Sequence, residues 1–367
     1  MNNNDSIKIL SGMEAVRKRP EFFINSTDTH GLHFLIKVLI NKSIEAIYAG
    51  FSKKIIVTLH DDGSASVCNP DYVKIVGKHK TDKFNLEEIL TILPYNQHES
   101  APAIVNALSE WLIVTINYEG ITYQQKFKSG GNPDGVLQKV NFFKSTGISI
   151  RFKPDETIFS STSFDFEVLS KMLQETAFLL KGTSIQLIDK RTEVTETFFY
   201  EEGLRNFVEY INNEKEVLHP AVSLKGEYEN FQVEIVFQFT DASSENILSY
   251  VNNVRMSESS LSEKTLDSAL LNSFNDYARK FNFLKVEDEN IEISDIRNAL
   301  TIVQSIQVLR QYLVFDHQSK DFIVPEEVNR AVENIMVNNL VCFLSENPEV
   351  SSLLMKKMIK SRKEKTL

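Results

Sequence analysis

The stretch Gly31 to Gly50, GLHFLIKVLINKSIEAIYAG, constrains this chain more than any other. Read at helical spacing, Leu32, Leu35, Ile36, Leu39, Ser43, Ile44 and Ile47 fall along one stripe, which predicts an amphipathic helix with one buried face. A second row, Val38, Asn41, Lys42 and Glu45, stacks on a common flank. Where such a helix lines a nucleotide pocket, that flank supplies a carboxylate to take a proton from the attacking water. It also supplies an amide or carboxylate to hold magnesium. Here the flank offers a valine, an asparagine, a lysine and a glutamate.

Around this helix the pattern alternates. Ser11 to Pro20 reads as a short helix stopped by its proline, and Glu21 to His30 as a connector. Lys54 to His60 has the density of β-branched residues expected of a strand. Asp61-Asp62-Gly63 makes a turn, and Ser64 to Cys68 returns beside it. Short helices follow at Leu86 to Leu93 and Ala103 to Trp111. Strands are expected at Leu112 to Tyr118, Tyr123 to Phe127, Gly147 to Lys153 and Thr183 to Asp189, with a helix at Phe164 to Leu180. Helices interleaved with a largely antiparallel sheet make an α/β sandwich with helices on one face. A boundary fits the polar run Asp189 to Gly203, giving domains of 1–200 and 201–367. The second half reads as strands at Val222 to Gly226, Val233 to Phe239, Ile247 to Asn253 and Ala299 to Leu309. Its helices are Glu263 to Phe281, Pro325 to Ser345 and Pro348 to Lys363. A strand, crossover helix and strand order predicts a small α/β unit.

Composition narrows the function. At 367 residues the chain exceeds a single compact core. A net charge of -10 disfavours a protein-wide grip on nucleic acid. Two cysteines far apart, Cys68 and Cys342, suit buried, reduced thiols rather than a disulfide or metal pair. The opening residues lack the apolar core of a signal peptide, and no apolar run is long enough to span a membrane, so the chain reads as cytoplasmic. The histidines show no ligand spacing, and His98-Glu99 is a lone pair. Trp111 reads as core. The run Lys356, Lys357, Lys360, Arg362, Lys363, Lys365 suits a helix C-terminus, or alternatively a weak phosphate-backbone contact.

Several ordered segments resemble the N-terminal half of the type IIA topoisomerase ATPase subunit, DNA gyrase B or its topoisomerase IV counterpart, within the GHKL superfamily. They are Met13-Glu-Ala-Val-Arg-Lys-Arg-Pro20, Ile104-Val-Asn-Ala-Leu-Ser-Glu-Trp-Leu112, Phe152-Lys-Pro-Asp155, Ala177-Phe-Leu-Leu-Lys-Gly182, the run Thr240 to Asn253 and Asn275-Asp-Tyr-Ala-Arg-Lys280. The resemblance implies an α+β fold: a GHKL-type α/β sandwich followed by a transducer domain of ribosomal-protein-S5-like type. It also implies that Val38 stands at the family's catalytic base and Lys42 at its magnesium-holding asparagine. The adenine-contacting Asp-x-Gly-x-Gly is replaced by Cys68-Asn-Pro-Asp-Tyr72, with Asp71 as a displaced remnant or a plain polar turn. The glycine-rich lid is replaced by Tyr95 to Ser100, and the family's Thr-Gly-Thr by Thr146-Gly147-Ile148. Glu258 to Ser262 departs from the family's Glu-Gly-Gly-Thr-His. One element survives: Gln318-Ser-Lys320 matches the loop whose lysine reaches the terminal phosphate, and is a remnant phosphate contact or an incidental exposed loop.

These departures lead to an expectation of no catalytic residue, no metal ligand and no cofactor. The chain is then a catalytically inactive relative acting through protein–protein contacts. Its partners are a second copy of itself or gyrase and topoisomerase IV subunits, with DNA engaged only weakly or indirectly. The alternative is an ATP-dependent topoisomerase component with a rebuilt site, using ATP and magnesium. A third reading is a DNA-binding accessory working through the basic tail.

Overall fold

The computed structural model describes residues 12–71, 86–92, 101–142, 146–228, 231–242, 244–257, 261–309, 312, 314–315, 322–323 and 326–366. The chain divides into two compact units: Met1–Ala177 with Gly182–Tyr200, and Phe178–Lys181 with Glu201–Leu367.

The first unit opens with α1 (Gly12–Lys18), α2 (Pro20–Ile24) and α3 (Thr29–Tyr48), then the hairpin β1 (Lys54–Leu59) and β2 (Ala65–Asn69). It continues through α4 (Leu86–Thr91), α5 (Ala101–Ala107), β3 (Ser109–Tyr118), β4 (Ile121–Lys128), β5 (Asn132–Pro133), β6 (Gln138–Phe142) and β7 (Gly147–Pro154). Helix α6 (Phe166–Leu179) precedes β8 (Ser184–Asp189) and β9 (Val194–Phe198). The strands form one sheet in the order β5-β4-β3-β7-β2-β1-β8-β9, with β6 also on β4. Pairing is antiparallel apart from β1 with β8.

Local chemistry fixes α3. The Asp28 carboxylate caps it, accepting from the backbone N–H of His30 at 2.8 Å and taking the Ser26 hydroxyl at 2.6 Å. Gly31 is required there, because a Cβ would lie 1.8 Å from the Ser26 carbonyl oxygen. Leu32, Leu35, Ile36, Leu39 and Ile44 are buried as the stripe demands, with Ser43 and Ile47 half-buried. In the β1–β2 turn, Gly63 takes φ +79, and the Asp62 carboxylate accepts from the Ser64 N–H and hydroxyl.

Three expectations change. The helix expected at Ala103 to Trp111 ends at Ala107 as α5, and Ser109 to Trp111 open β3. Pro20 does not merely stop a helix; it occupies the first turn of α2, where its missing N–H costs nothing, so part of the expected connector is helical. The polar run after Asp189 contains β9, which pairs with β8 as a sheet edge.

The second unit contains α7 (Leu204–Ile211), β10 (Val222–Tyr228), β11 (Phe231–Phe239), β12 (Asn246–Val251), β13 (Val254–Arg255), α8 (Leu261–Lys280), α9 (Ile293–Arg297) and β14 (Leu300–Val308). A short pair, β15 (Val314–Phe315) and β16 (Phe322–Ile323), leads to α10 (Glu326–Glu346) and α11 (Pro348–Thr366). Its main sheet runs β10-β11-β14-β12-β13. Strands β12 and β14 are parallel, joined through α8, which is the expected strand–helix–strand crossover. One sheet face, including Ile235, Phe237, Ile302 and Ile306, packs with Leu270 and Phe274 of α8 and Val332 and Met336 of α10 in a continuous apolar core. The architecture is the mixed α+β sandwich and second unit that the sequence resemblance implies. Among the described residues, no helix is long and apolar enough to cross a membrane.

Candidate functional site

The α3 flank is half-buried at Val38, Asn41, Lys42 and Glu45, beside the fully buried stripe. The Lys42 ammonium lies 3.2 Å from the Glu45 carboxylate, with side chains 28% and 31% exposed. The carboxylate on this row is therefore already engaged by a cation three residues away. A divalent metal brought to the flank would meet an ammonium, a repulsion of several kcal/mol at ~4 Å in a poorly solvated site. Val38 adds an aliphatic surface that neither accepts a proton nor ligates, and Asn41 is the row's neutral oxygen donor.

Helix α3 packs on β2, whose C-terminal end carries the second part of the site. Along β2, alternation sends Ala65, Val67 and Asn69 to one face. Asn69 is 2% exposed, and neither its side-chain nitrogen nor its oxygen has a hydrogen-bond partner among the described residues. Asp71, read from sequence as a displaced remnant or a plain polar turn, is exposed in the turn. The buried polar group of this segment is thus Asn69, which sequence reasoning passed over. The strand's two-residue period was the signal that pointed to it. Gly147 crosses close by: a Cβ there would approach the Pro70 carbonyl oxygen to 2.8 Å, so only glycine fits. Thr146 is exposed beside it.

The structure joins two of the sequence motifs into one clasp. Arg17 of the Met13–Pro20 segment donates to the Asp155 carboxylate at 2.7 Å and to the Ala107 carbonyl at 2.8 Å. Asp155 closes the Phe152–Asp155 segment. Hydrogen bonds from Thr157 and Arg17 hold the Asp155 carboxyl below the usual carboxylate range, although burial opposes the shift.

The remaining candidates resolve individually. His33 accepts the Asp165 N–H at Nε2, 3.0 Å away, and is a neutral core group whose pKa burial lowers. His60 lies 3.0 Å from the Ser66 hydroxyl; burial, with Arg151 and Lys190 nearby, lowers its pKa to about 4. Trp111 is half-buried rather than core, with the Arg151 guanidinium 5.6 Å from its ring centroid. It lies on the outward side of β3, where flat aromatic surface suits an arginine better than a core. Cys68 and Cys342 are both free, but neither is buried as expected: Cys68 is half-buried on β2 and Cys342 is exposed on α10. In the basic tail, Arg362 is taken up by Glu289, by Glu292 at 3.2 Å and by Asp295 at 3.8 Å. Gln318 and Lys320, His98-Glu99, Tyr95 to Ser100 and positions 258–260 lie outside the described residues.

Comparison with known proteins places this geometry. Residues 203–366 match the family model described as DNA gyrase B. The chain is 43% identical over 372 residues to the B subunit of DNA topoisomerase 4 from Bacillus subtilis (strain 168), covering 98% of this chain and 57% of that protein. It is 42% identical over 376 residues to the Staphylococcus aureus (strain Mu50) protein of the same name, with the same coverage. The chain thus spans 57% of the length of these curated relatives. Among solved structures, the 43K ATPase domain of Thermus thermophilus gyrase B, solved with an aminocoumarin, is similar with TM-score 0.84 and 26% identity. The alignment covers 97% of this chain and 96% of that one. The topoisomerase IV ATP-binding domain of Francisella tularensis shares the fold with TM-score 0.81 at 23% identity, covering 98% and 99%. The chain belongs to the family of DNA gyrase B and the topoisomerase IV B subunit, and corresponds to its N-terminal half.

Proposed function

We propose that this chain serves a type IIA topoisomerase as a nucleotide-independent counterpart of the family's N-terminal half, acting through protein–protein contacts. The observation that carries this reading is the α3 flank, where Lys42 neutralises Glu45 at 3.2 Å and Val38 stands beside them. Each charge-assisted hydrogen bond to a nucleotide or its metal contributes about 1.5–3 kcal/mol. Loss of several outweighs the roughly 8 kcal/mol of a micromolar affinity. The partners on this reading are a second copy of the chain or gyrase and topoisomerase IV subunits, without a cofactor.

A second reading is an ATP-dependent topoisomerase component with a rebuilt site, favoured by the name the relatives share, that of the DNA topoisomerase 4 B subunit. It assigns Lys320 to the terminal phosphate. Calorimetric titration with a non-hydrolysable ATP analogue and magnesium separates the two. The first reading predicts no micromolar binding, together with recovery of gyrase or topoisomerase IV subunits in an affinity pull-down from the native host. Micromolar binding, or ATP turnover abolished by Lys320→Ala, overturns it in favour of the second.

A further inference from the structure

We infer that a cavity in the C-terminal unit binds a small monocarboxylate with an apolar body. The cavity is an open pocket with a volume of about 330 Å³, and it lies among the start of α7, the start of β10 and the junction of α10 with α11. This is within the range of small-ligand sites, roughly 300–1,000 Å³. Val222, Phe343 and Val350 give it an apolar wall, and Arg205, His219, Ser223 and Asn347 are its polar members, the Ser223 hydroxyl being buried with no hydrogen-bond partner among the described residues.

The charge of the site rests on Arg205. Apart from Arg255, which stands exposed on β13, the other described guanidinium groups of this unit are committed. Arg279 donates to Asn290 and to the Lys285 and Asp288 carbonyls, Arg297 holds Glu263 and Asp267, Arg330 holds Glu326, and Arg362 holds Glu289 and Glu292. Arg205 is half-buried and lines the cavity, and its guanidinium has no partner among the described residues. A permanently charged fork of donors against an apolar wall is the arrangement that takes a carboxylate in two parallel hydrogen bonds.

The other walls set the charge and shape of the ligand. His219 lines the cavity but offers it nothing, because Nδ1 donates to the Pro220 carbonyl at 2.7 Å and Nε2 accepts the Phe239 N–H at 3.0 Å. Asn347 donates its amide to the Phe343 carbonyl at 2.9 Å. Among the described residues no carboxylate lines the cavity, yet Glu346 and Glu349 stand exposed on either side of Asn347. They penalise a dianion such as phosphate more than a monoanion. The Phe343 ring and the valines suit a flat or branched apolar body. The cavity is independent of the nucleotide question, since it involves no residue of the first unit.

The test is calorimetry on the full chain with 3-phenylpropionate, 3-phenylpropionamide and inorganic phosphate as probes. The carboxylate should bind at millimolar concentration or tighter, and the amide and phosphate at least about tenfold more weakly, the lower end of what a charged hydrogen bond contributes. Arg205→Gln should weaken the carboxylate by about tenfold or more, and Arg205→Lys by less, because it keeps the charge but loses the fork. Thermal melts of both variants establish that they fold. Equal binding of acid and amide, tighter binding of phosphate, unchanged affinity in folded Arg205→Gln, or no binding of 3-phenylpropionate at millimolar concentration overturns the inference.

Discussion

Gln304 gives the sharpest test of how the second unit is held together. It sits in the middle of β14 on the face that presents Leu300, Ile302, Ile306 and Val308 to the apolar core, and it is 0% exposed. Its nearest cross-strand neighbour on β12 is Ser249. The amide nitrogen donates to the Ser249 hydroxyl at 2.6 Å, while the amide oxygen is buried with no hydrogen-bond partner among the described residues. A buried carbonyl left unpaired costs about 1–3 kcal/mol, and the single bond to Ser249 returns only about 0.5–1.5 kcal/mol. Gln304→Met keeps the length of the side chain and removes both groups, but strands the Ser249 hydroxyl. Adding Ser249→Ala removes that too. The double variant should therefore be about 1–2 kcal/mol more stable than the parent, with the single Gln304→Met near neutral. Urea unfolding followed by a probe in the second unit measures this, since the chain's two units need not unfold together. A double variant less stable than the parent by about 1 kcal/mol or more would refute the assignment of Gln304 as a net cost to the core.

Two further perturbations follow from the same unit. His219 is 4% exposed and neutral, and burial lowers its pKa below the usual value of 6.5. The unfolded chain therefore binds its proton first, so stability should fall as pH drops below about 6.5 toward the lowered value, and be regained above it. Unfolding midpoints at pH 7.5 and 5.5 should diverge more in the parent than in His219→Gln. Arg362→Ala should destabilise this unit by about 1–3 kcal/mol, because the Asp295 carboxylate keeps its burial and loses a cation; the carboxylate is 0% exposed. Arg362→Lys should recover part of that loss in the same denaturant assay.

The fold was legible where a period decides it. The α3 stripe, the Asp62-Gly63 turn and the Val233 to Phe239 strand each carry an unambiguous apolar or turn pattern, and each stands where its pattern implies. Strand β9 was not legible. Val194 to Phe198 alternates valine, threonine and glutamate at a sheet edge with both faces largely exposed, so no hydrophobic period marks it. Pro20 admits two meanings, a stop or a first turn, and only tertiary context selects the second. The candidate site was half legible. The flank residues Val38 and Lys42 follow from helical geometry alone, whereas the ion pair with Glu45 depends on rotamers. Asn69 and Gln304 are polar residues at positions that alternation assigns to the core. Arg17 and Asp155 meet across 138 positions of sequence, and Arg362 reaches back from α11 to Asp295 of α9; no local pattern encodes either contact.

Stripe and flank of α3 are physically separable, and this limits what fold similarity says about chemistry. The stripe is buried and builds the first unit's core. The flank is half-buried, and Lys42 and Glu45 on it form an i,i+3 ion pair, a kind of contact worth only about 0.2–0.5 kcal/mol. Exchanging Val38→Glu and Lys42→Asn together should therefore leave stability within about 1 kcal/mol of the parent, since surface-flank substitutions rarely exceed that. The same exchange replaces an aliphatic group and an ammonium with a proton acceptor and a neutral oxygen ligand. On the proposed reading, the double variant folds normally and gains affinity for magnesium with an ATP analogue relative to the parent, measured by the same calorimetric titration. A loss of several kcal/mol in stability would show that the flank is part of the core. A close structural resemblance would then constrain the chemistry after all, and the Lys42–Glu45 pair would no longer speak for a lost nucleotide site.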